Sequence, residues 1–511
     1  MPAGDSESAK PSCDPEPASE PLRAVFSAAF VKPFTVPSGG SRYTGRALSC
    51  EPFTTRGADP SAMKSPRSLP AMARLSSAFL GLVLLSPISA HALPAFPGAE
   101  GFGTQTPGGR GGPVLVVTTL AGSGSGSFRA AMMTPGPRIL VFRVSGVIDL
   151  GGDITLTEAQ SYVTVLGQSS PGGITLVNGA ITNYQTNFHD AIFRFIRLRA
   201  QAGDTFAFNP VSNLVIDHCD MSGGADETFD IDASHDFTVQ WSTVTNSMSG
   251  AGSQNYGWLI AYRPTSQVSF HHNFSAHHGG RCGAQFHWSG SGAVPGDGVK
   301  LDLRNNVFYN CGFQQIYRQD LPPGEGTNFN LVGNFARSGP DTPADSMLFG
   351  LDGTLFMTDN LYPGQSILSI YSNPTFLDEP HPFPPITTSS ATLAWNQVLN
   401  RAGSWPRDAM TTRTVAEARS GTGTLGNLGD PLNTALPPPA LPVDVDLDGI
   451  ADSWELTHGL SPANPLDSAE LHPGGYAWVE VYLNELATRA VALFNDGFAS
   501  GNTAAWGGEV P

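Results

Sequence analysis

"VSFHHN" (Val268–Asn273), "LDLRNN" (Leu301–Asn306), "FNLVGN" (Phe329–Asn334) and "LFMTDN" (Leu355–Asn360) are four short segments that each end in asparagine at the sixth position. Each alternates apolar and polar residues before that asparagine, the pattern of a strand with one buried face. Similar runs begin upstream at Val163, Phe193, Leu214 and Phe237, so that the eight starts are 21 to 33 residues apart, with Gly, Ser, Asn or Pro in every gap. A residue type that returns at a fixed phase of a repeat stacks on its equivalent one turn away, about 4.8 Å distant. Asparagine suits such a column because its amide has donors and acceptors to share with the rungs above and below. No amphipathic helix separates the runs, which excludes a doubly wound α/β sheet. A β-sandwich would place turns every 8 to 12 residues or so. The fold expected is all-β: a right-handed parallel β-helix.

Outward from this core, the ends of the 511-residue chain have other characters. Residues 1–62 are rich in Pro, Ser and Gly without hydrophobic periodicity, and read as a disordered extension or a misplaced translation start. Residues 63–92 carry Lys64, Arg67 and Arg74, then an apolar run from Ala78 to Leu85 and a closing Ala90-His91-Ala92, the order of a secretory signal peptide. That run is too short to span a bilayer. A secreted, extracellular protein with no membrane attachment after cleavage is expected. Acidic residues outnumber basic ones 44 to 27, which argues against a nucleic-acid partner. After cleavage Cys219, Cys282 and Cys311 remain, which allows at most one internal disulfide and matches no zinc spacing.

Beyond a β-helix domain over 93–429, a proline-rich linker over 430–443 leads to "DVDLDGIADSWE". There Asp444, Asp446, Asp448, Asp452 and Glu455 take positions 1, 3, 5, 9 and 12 and Gly449 takes position 6, the rule of an EF-hand-type Ca²⁺ loop. The loop also resembles thrombospondin type 3 repeats. Residues 444–488 are therefore expected to form a small calcium-binding appendage, and 489–511 a tail.

Four ordered motifs, "LPAFPGAEGFGTQTPGGRGG" (93–112), "GSGSFRAAM" (124–132), "IDHCDMSGGADETFDI" (216–231) and "SFHHNFSAHHGGR" (269–281), resemble the pectate lyase family of polysaccharide lyases. The resemblance spans about two thirds of the chain. It implies a parallel β-helix, secretion, Ca²⁺ dependence and β-elimination on an acidic polysaccharide, galacturonan. Carried over residue by residue, it assigns the calcium carboxylates to Asp204, Asp226 and Asp230, with Glu227 a substitute for either neighbour. It assigns catalysis to Arg281, nine residues after His272, as base toward the C5 proton or as stabiliser of the charge that develops. Arginine is a poor base, with a pKa above about 12 in ordinary surroundings. Asp217 and the histidines His271, His272, His277 and His278 read as structural, since adjacent histidines in a strand point to opposite faces.

Two family features are missing: the proline and second arginine that follow the catalytic arginine, and a lysine in the turn after the calcium strand. Arg263, Lys300, Arg304 and Arg318 are the candidates to meet substrate in their place, and a partly methylated pectin or another uronate glycan becomes a plausible substrate. The chain is expected to act as a monomer. Two other readings compete. A polygalacturonase-type hydrolase would need "NTD", "DD" and "RIK" motifs, which are absent. A non-catalytic, uronate-binding β-helix would fit the missing cations but not the retained Asp204, Asp226, Asp230 and Arg281.

Overall fold

The computed structural model describes residues 93–248, 254–261, 265–287, 298–312, 316–319, 327–351, 353–368, 373–426 and 440–496, with side chains undescribed at 284–287, 316–319 and 490–496. The chain winds as a parallel β-solenoid with three ladders of strands. A first sheet includes Arg138–Phe142, Val163–Leu166, His235–Gln240, Ser266–His271, Val299–Arg304, Thr327–Val332 and Gly353–Thr358. A second includes Glu227–Asp232, Tyr256–Ala261, Ala284–His287 and Ile316–Gln319. The long strands Ile181–Arg194 and Phe206–Asp217 run from the second sheet into the first. The third has eight strands, from Gly146–Asp149 to Phe335–Arg337.

Alternation puts one column of the first sheet inward through eight rungs: Val165, Phe193, Ile216, Val239, Phe270, Leu303, Leu331 and Met357. The asparagine column lies in the tight turn between the first and third sheets. The Asn306 Oδ1 accepts from the Asn273 backbone N–H and Nδ2, both at 3.1 Å, and Asn334 and Asn360 repeat the pattern. Each Nδ2 also reaches a main-chain carbonyl, such as Phe270 O from Asn306 at 2.9 Å. Ser242 continues the column, its N–H donating to Asn273 Oδ1 at 2.9 Å. Asn306→Ala would orphan the buried Asn273 amide, and is expected to cost roughly 3 kcal/mol. Urea unfolding checks this; a midpoint shift worth under about 0.5 kcal/mol, the scale of a surface substitution, would refute it.

The residue before each rung of this column has positive φ: Phe195, His218, Trp241, His272 and Asn305, then Gly333. Their rings stack from rung to rung, with centroids 4.7 Å apart for Phe195 and His218 and 4.2 Å for Trp241 and His272.

Among the described residues, two of the three outer faces are covered. Residues 93–112 lie on the first sheet, donating backbone N–H groups to Thr238, Ser269 and Thr164 hydroxyls at 2.9–3.1 Å. This close approach demands glycine: a Cβ at Gly103 would stand 2.2 Å from Leu214 O and one at Gly109 1.7 Å from Arg138 O. Helix α1 (Phe128–Met132) packs Phe128 and Met132 into the solenoid core. Helices α2 (Ala391–Arg401) and α3 (Ala409–Ser420), begun by the caps Ser390 and Asp408, cover the third sheet through Val398, Leu399, Val415 and Ala418. The all-β expectation for 93–429 is thus corrected at 391–420. Beneath them Arg199 is fully buried between Asp220 (3.0 Å) and Asp408 (2.8 Å).

The C-terminal segment contains helices α4 (Asp452–His458) and α5 (Trp478–Asp496), the latter crossing the expected boundary at 488. Ile450, Trp454, Val479 and Leu483 pack on Ile139, Val141 and Leu166 of the first sheet. Among the described residues no helix is long and apolar enough to cross a membrane. The signal peptide and the extension over 1–62 lie outside the described residues.

Candidate active site

The second sheet carries the acidic residues. Asp204 sits just before the strand that starts at Phe206, and Glu227 and Asp230 lie on the next rung, where Phe229 pairs with Phe206. Alternation sends Phe229 and Ile231 into the core and Asp230 outward. One oxygen from each of Asp204, Glu227 and Asp230 lies within 4.8 Å of the others. Glu227 N–H donates to Asp204 Oδ1 at 3.0 Å, which locks the two rungs together. The group therefore forms with Glu227, while Asp226 stands beside it as a neighbouring charge.

These carboxylates are held in an unfavourable state. Burial, then the charges of Asp226, Asp232 and Asp153, pushes Asp204 up to about 7. Burial, then Asp232, Asp204 and Asp226, drives Asp230 well above the carboxylate range, and burial brings Asp232 to about 7. Asp230 Oδ1 and Asp232 Oδ1 are buried without a hydrogen-bond partner. Orphaned anionic oxygens in one place fit a hard cation, and an all-oxygen set suits Ca²⁺ better than a transition metal.

Arg281 stands two rungs from Glu227 on the same ladder; between them Tyr256 pairs with Glu227 on one side and with Gly280, the residue before Arg281, on the other. It takes positive φ (53°), and its carbonyl accepts from Trp258 N–H at 2.9 Å. Its guanidinium pairs with the Glu227 carboxylate and lies 4.1 Å from the Tyr256 ring centroid. The next residue, Cys282, is in a disulfide with Cys311, with Cα atoms 5.8 Å apart, so the arginine turn is tied to the following rung. Cys219 is buried and unpaired.

The histidines are engaged by the scaffold. His278 contacts Ser247 Oγ at 2.9 Å and Val244 O at 2.8 Å, and burial lowers it to about 3. His277 Nε2 lies 3.1 Å from Glu417 of α3. His271 and His272 face each other Nδ1 to Nδ1 at 3.0 Å, and burial takes His271 down to about 4. Asp217 accepts from Arg194 at 2.8 Å and from Gln240 Nε2 at 2.8 Å, and His218 and Arg194 hold it below the carboxylate range despite its burial.

Among the described side chains, those of Lys300 and Arg304 do not belong to this ladder. Lys300 and Arg304 belong to a first-sheet strand, and Arg304 pairs with Asp302 at 2.6 Å. Arg318 is on the second sheet, in the register column of Ile231, Ile260 and Phe286 rather than that of Asp230. Arg263 lies outside the described residues. Nothing in the sequence marks Tyr256; register sets it between Glu227 and Gly280, and its ring meets the Arg281 guanidinium.

A parallel solenoid that sets three carboxylates and a guanidinium on one ladder brings together groups that could hold a cation. Known proteins identify the family. A probable pectate lyase C of Aspergillus flavus is 32% identical over 429 residues, 78% of this chain and 96% of its own length. One from Aspergillus terreus is 33% identical over 443 residues, 80% and 98% of the two chains. The chain belongs to the pectate lyase family. Among solved structures, the major allergen from cedar pollen aligns over 60% of this chain and 92% of its own at 14% identity (TM-score 0.44), and a Bacillus pectate lyase in complex with trigalacturonate over 60% and 99% at 15% identity (TM-score 0.40). No protein-family model matches the chain.

Proposed function

We propose that this protein is a secreted, calcium-dependent lyase that cleaves 4-linked galacturonan by β-elimination, in a chain that belongs to the pectate lyase family. The observation that carries the mechanism is that Asp204, Glu227 and Asp230 gather on adjacent rungs of one ladder and that Arg281, two rungs beyond Glu227, pairs with the Glu227 carboxylate. Asp204, Glu227 and Asp230 would hold the ion, with Asp226 and Asp232 adding charge nearby. When bound, the cation offsets the uronate carboxylate's charge and makes the C5 proton more acidic.

The residues of the chain supply the rest. Asp230 faces outward on a strand fixed by core packing of Phe229 and Ile231, so its position is set by the rigid ladder. Tyr256 and Glu227 orient the Arg281 guanidinium from two sides. A guanidinium whose N–H groups are directed at a carboxylate serves as it stands to stabilise charge developing at C5 and its carboxylate. A general-base role requires Glu227 to release it first. Among the described residues, Lys300 and Arg304 lie on another sheet from the acidic ladder. That supports a substrate in which some galacturonate carboxylates are methylated.

The test is product chemistry on polygalacturonate and on pectins of graded methylation. A lyase yields an unsaturated, ultraviolet-absorbing product that chelator abolishes and added Ca²⁺ restores. Reducing ends without absorbance would show a hydrolase, and no product from any polymer would show a binding protein. Undiminished activity in excess chelator would remove the calcium part of the reading.

A further inference from the structure

The appendage holds a second carboxylate nest that the lyase site does not use. Asp444, Asp446 and Asp448 bring oxygens within 4.8 Å of one another, and Asp448, Glu455 and Asp467 do the same. Asp448 belongs to both trios, so five carboxylates form one continuous group. Asp467 comes from a separate turn, twelve residues past Glu455 and outside the linear loop. Asp452 is not in the group; its Oδ1 accepts from Val445 N–H at 2.8 Å and braces the loop instead.

Proximity of acids alone would prove little, but several of their oxygens are buried without a partner. The Glu455 side chain is fully buried and both its oxygens lack a hydrogen bond; Asp448 Oδ2 and Asp467 Oδ1 are likewise buried and unpartnered, as are both oxygens of Asp446. The only cation the structure pairs with the group is Arg143, 3.1 Å from Asp444, among the described residues. Asp444 is further occupied by the Asp448 and Gly449 N–H groups at 3.2 and 3.1 Å. Six oxygens on these four residues are thus buried without a hydrogen bond, in two carboxylate trios that share Asp448.

We propose that Asp446, Asp448, Glu455 and Asp467, with Asp444, bind a calcium ion that fastens the C-terminal appendage to the solenoid. The hard-oxygen set and the number of donors match Ca²⁺ rather than a softer or smaller ion. The coupling to the solenoid is direct. The loop that carries the ligands also carries Ile450, Ala451 and Trp454, which pack on Ile139, Val141 and Leu166. Gly449, at φ 96°, leaves room where a Cβ would stand 2.8 Å from Val141 Cγ2. Arg143, next to the strand Arg138–Phe142, donates to Pro442 O at 3.3 Å as well as pairing with Asp444. From the other side, Arg110 pairs with Glu480 of α5 at 2.8 Å and Arg194 donates to Asn484 Oδ1 at 2.6 Å. An ion that joins the loop to the Asp467 turn fixes both halves of the appendage over the first rungs of the solenoid.

The proposal is independent of the lyase reading, and the full-length protein tests it. Calcium is titrated into chelator-stripped protein by calorimetry, with hydrogen exchange read in the same samples. Asp467→Asn keeps the acceptor that Ser461 N–H uses at 3.0 Å. It should weaken one class of calcium sites at least tenfold and leave the other class intact. Glu455→Gln should do the same, and Asp452→Asn, which spares the ligand group, should change affinity less than threefold. In the parent, calcium should slow exchange at least tenfold across 444–489 and in 138–142, and Asp467→Asn should lose that slowing at the same calcium level. Parental calcium affinity in both Asp467→Asn and Glu455→Gln would overturn the site. Calcium binding with no change of exchange in 138–142 would overturn the fastening role. Asp230→Asn serves as the separate control for the lyase site: it should remove the other class of sites and leave the exchange of 444–489 as in the parent.

Discussion

Arg281→Lys should lower turnover by roughly 10²–10⁴-fold, the range of a lost acid–base or charge-stabilising group. Lysine keeps the positive charge and the reach to Glu227, but replaces a planar fork of donors with a point charge. The Tyr256 face, 4.1 Å from the guanidinium carbon, would also lose the flat surface that stacks on it. If Arg281 acts on the reacting atoms, kcat and kcat/KM fall together; if it only grips substrate carboxylates, KM rises and kcat stays. Stability separates the chemistry from the scaffold. Arg281 is not a free surface arginine, because Glu227 behind it is buried. Arg281→Lys should therefore cost about 1 kcal/mol, whereas Arg281→Ala, which leaves Glu227 uncompensated, should cost about 3–5 kcal/mol. Parental turnover in the lysine variant would show that the arginine is not catalytic.

The solenoid was legible because its signal repeats. Each rung restates the alternation, and the asparagines at 273, 306, 334 and 360 bond to one another as their common phase implies. What one strand cannot show is which of three sheets it joins. Lys300 and Arg304 looked available to substrate, yet their strand follows Ser266–His271 on the first sheet, away from the acidic ladder. The same ambiguity separates Asp226 from Glu227. Both precede Asp230 in one acidic run, and only the turn into the strand decides which carboxylate meets Asp204. Contacts from distant sequence were illegible for another reason. Arg199 looks like an exposed residue of an alternating strand until Asp408, 209 residues later, arrives with α3 to pair with it. Helices α2 and α3 leave a readable trace in their caps, Ser390 and Asp408, and in the spacing of Ala391, Ala394 and Val398, but each is a single short element without the repetition that marks the strands. Asp467 left none, since it follows the loop by a separation no motif specifies.

Asp230→Asn should divide activity from stability in opposite directions. With one anionic oxygen donor gone from the Asp204, Glu227 and Asp230 group, product formation should fall at least about 100-fold at calcium levels that saturate the parent, as expected when a metal's hard anionic ligand is replaced by a neutral amide. In chelator at pH 8, however, the variant should be the more stable protein. Asp230 there carries a buried oxygen without a partner and faces the charges of Asp232, Asp204 and Asp226. An acid whose folded pKa lies above its unfolded value keeps protons in the folded state that the unfolded chain has already released. Stability then falls as pH rises through the interval between the two values. For Asp204 and Asp232 that interval runs from the unfolded value of 3.8 to about 7, and for Asp230 it is shifted in the same direction. The metal-free parent should therefore lose stability between about pH 4 and pH 7, with Asp230 steepening the loss, and the asparagine variant should lose less. Near pH 4 the two should converge, because the parental carboxyl is then protonated as well. At pH 8 in chelator a melting temperature about 2 °C above the parent's corresponds to roughly 1 kcal/mol in a domain of this size. A variant that is less stable than the parent under those conditions would show that the nest is held by partners other than a cation, and that the repulsion among its carboxylates is not what calcium relieves.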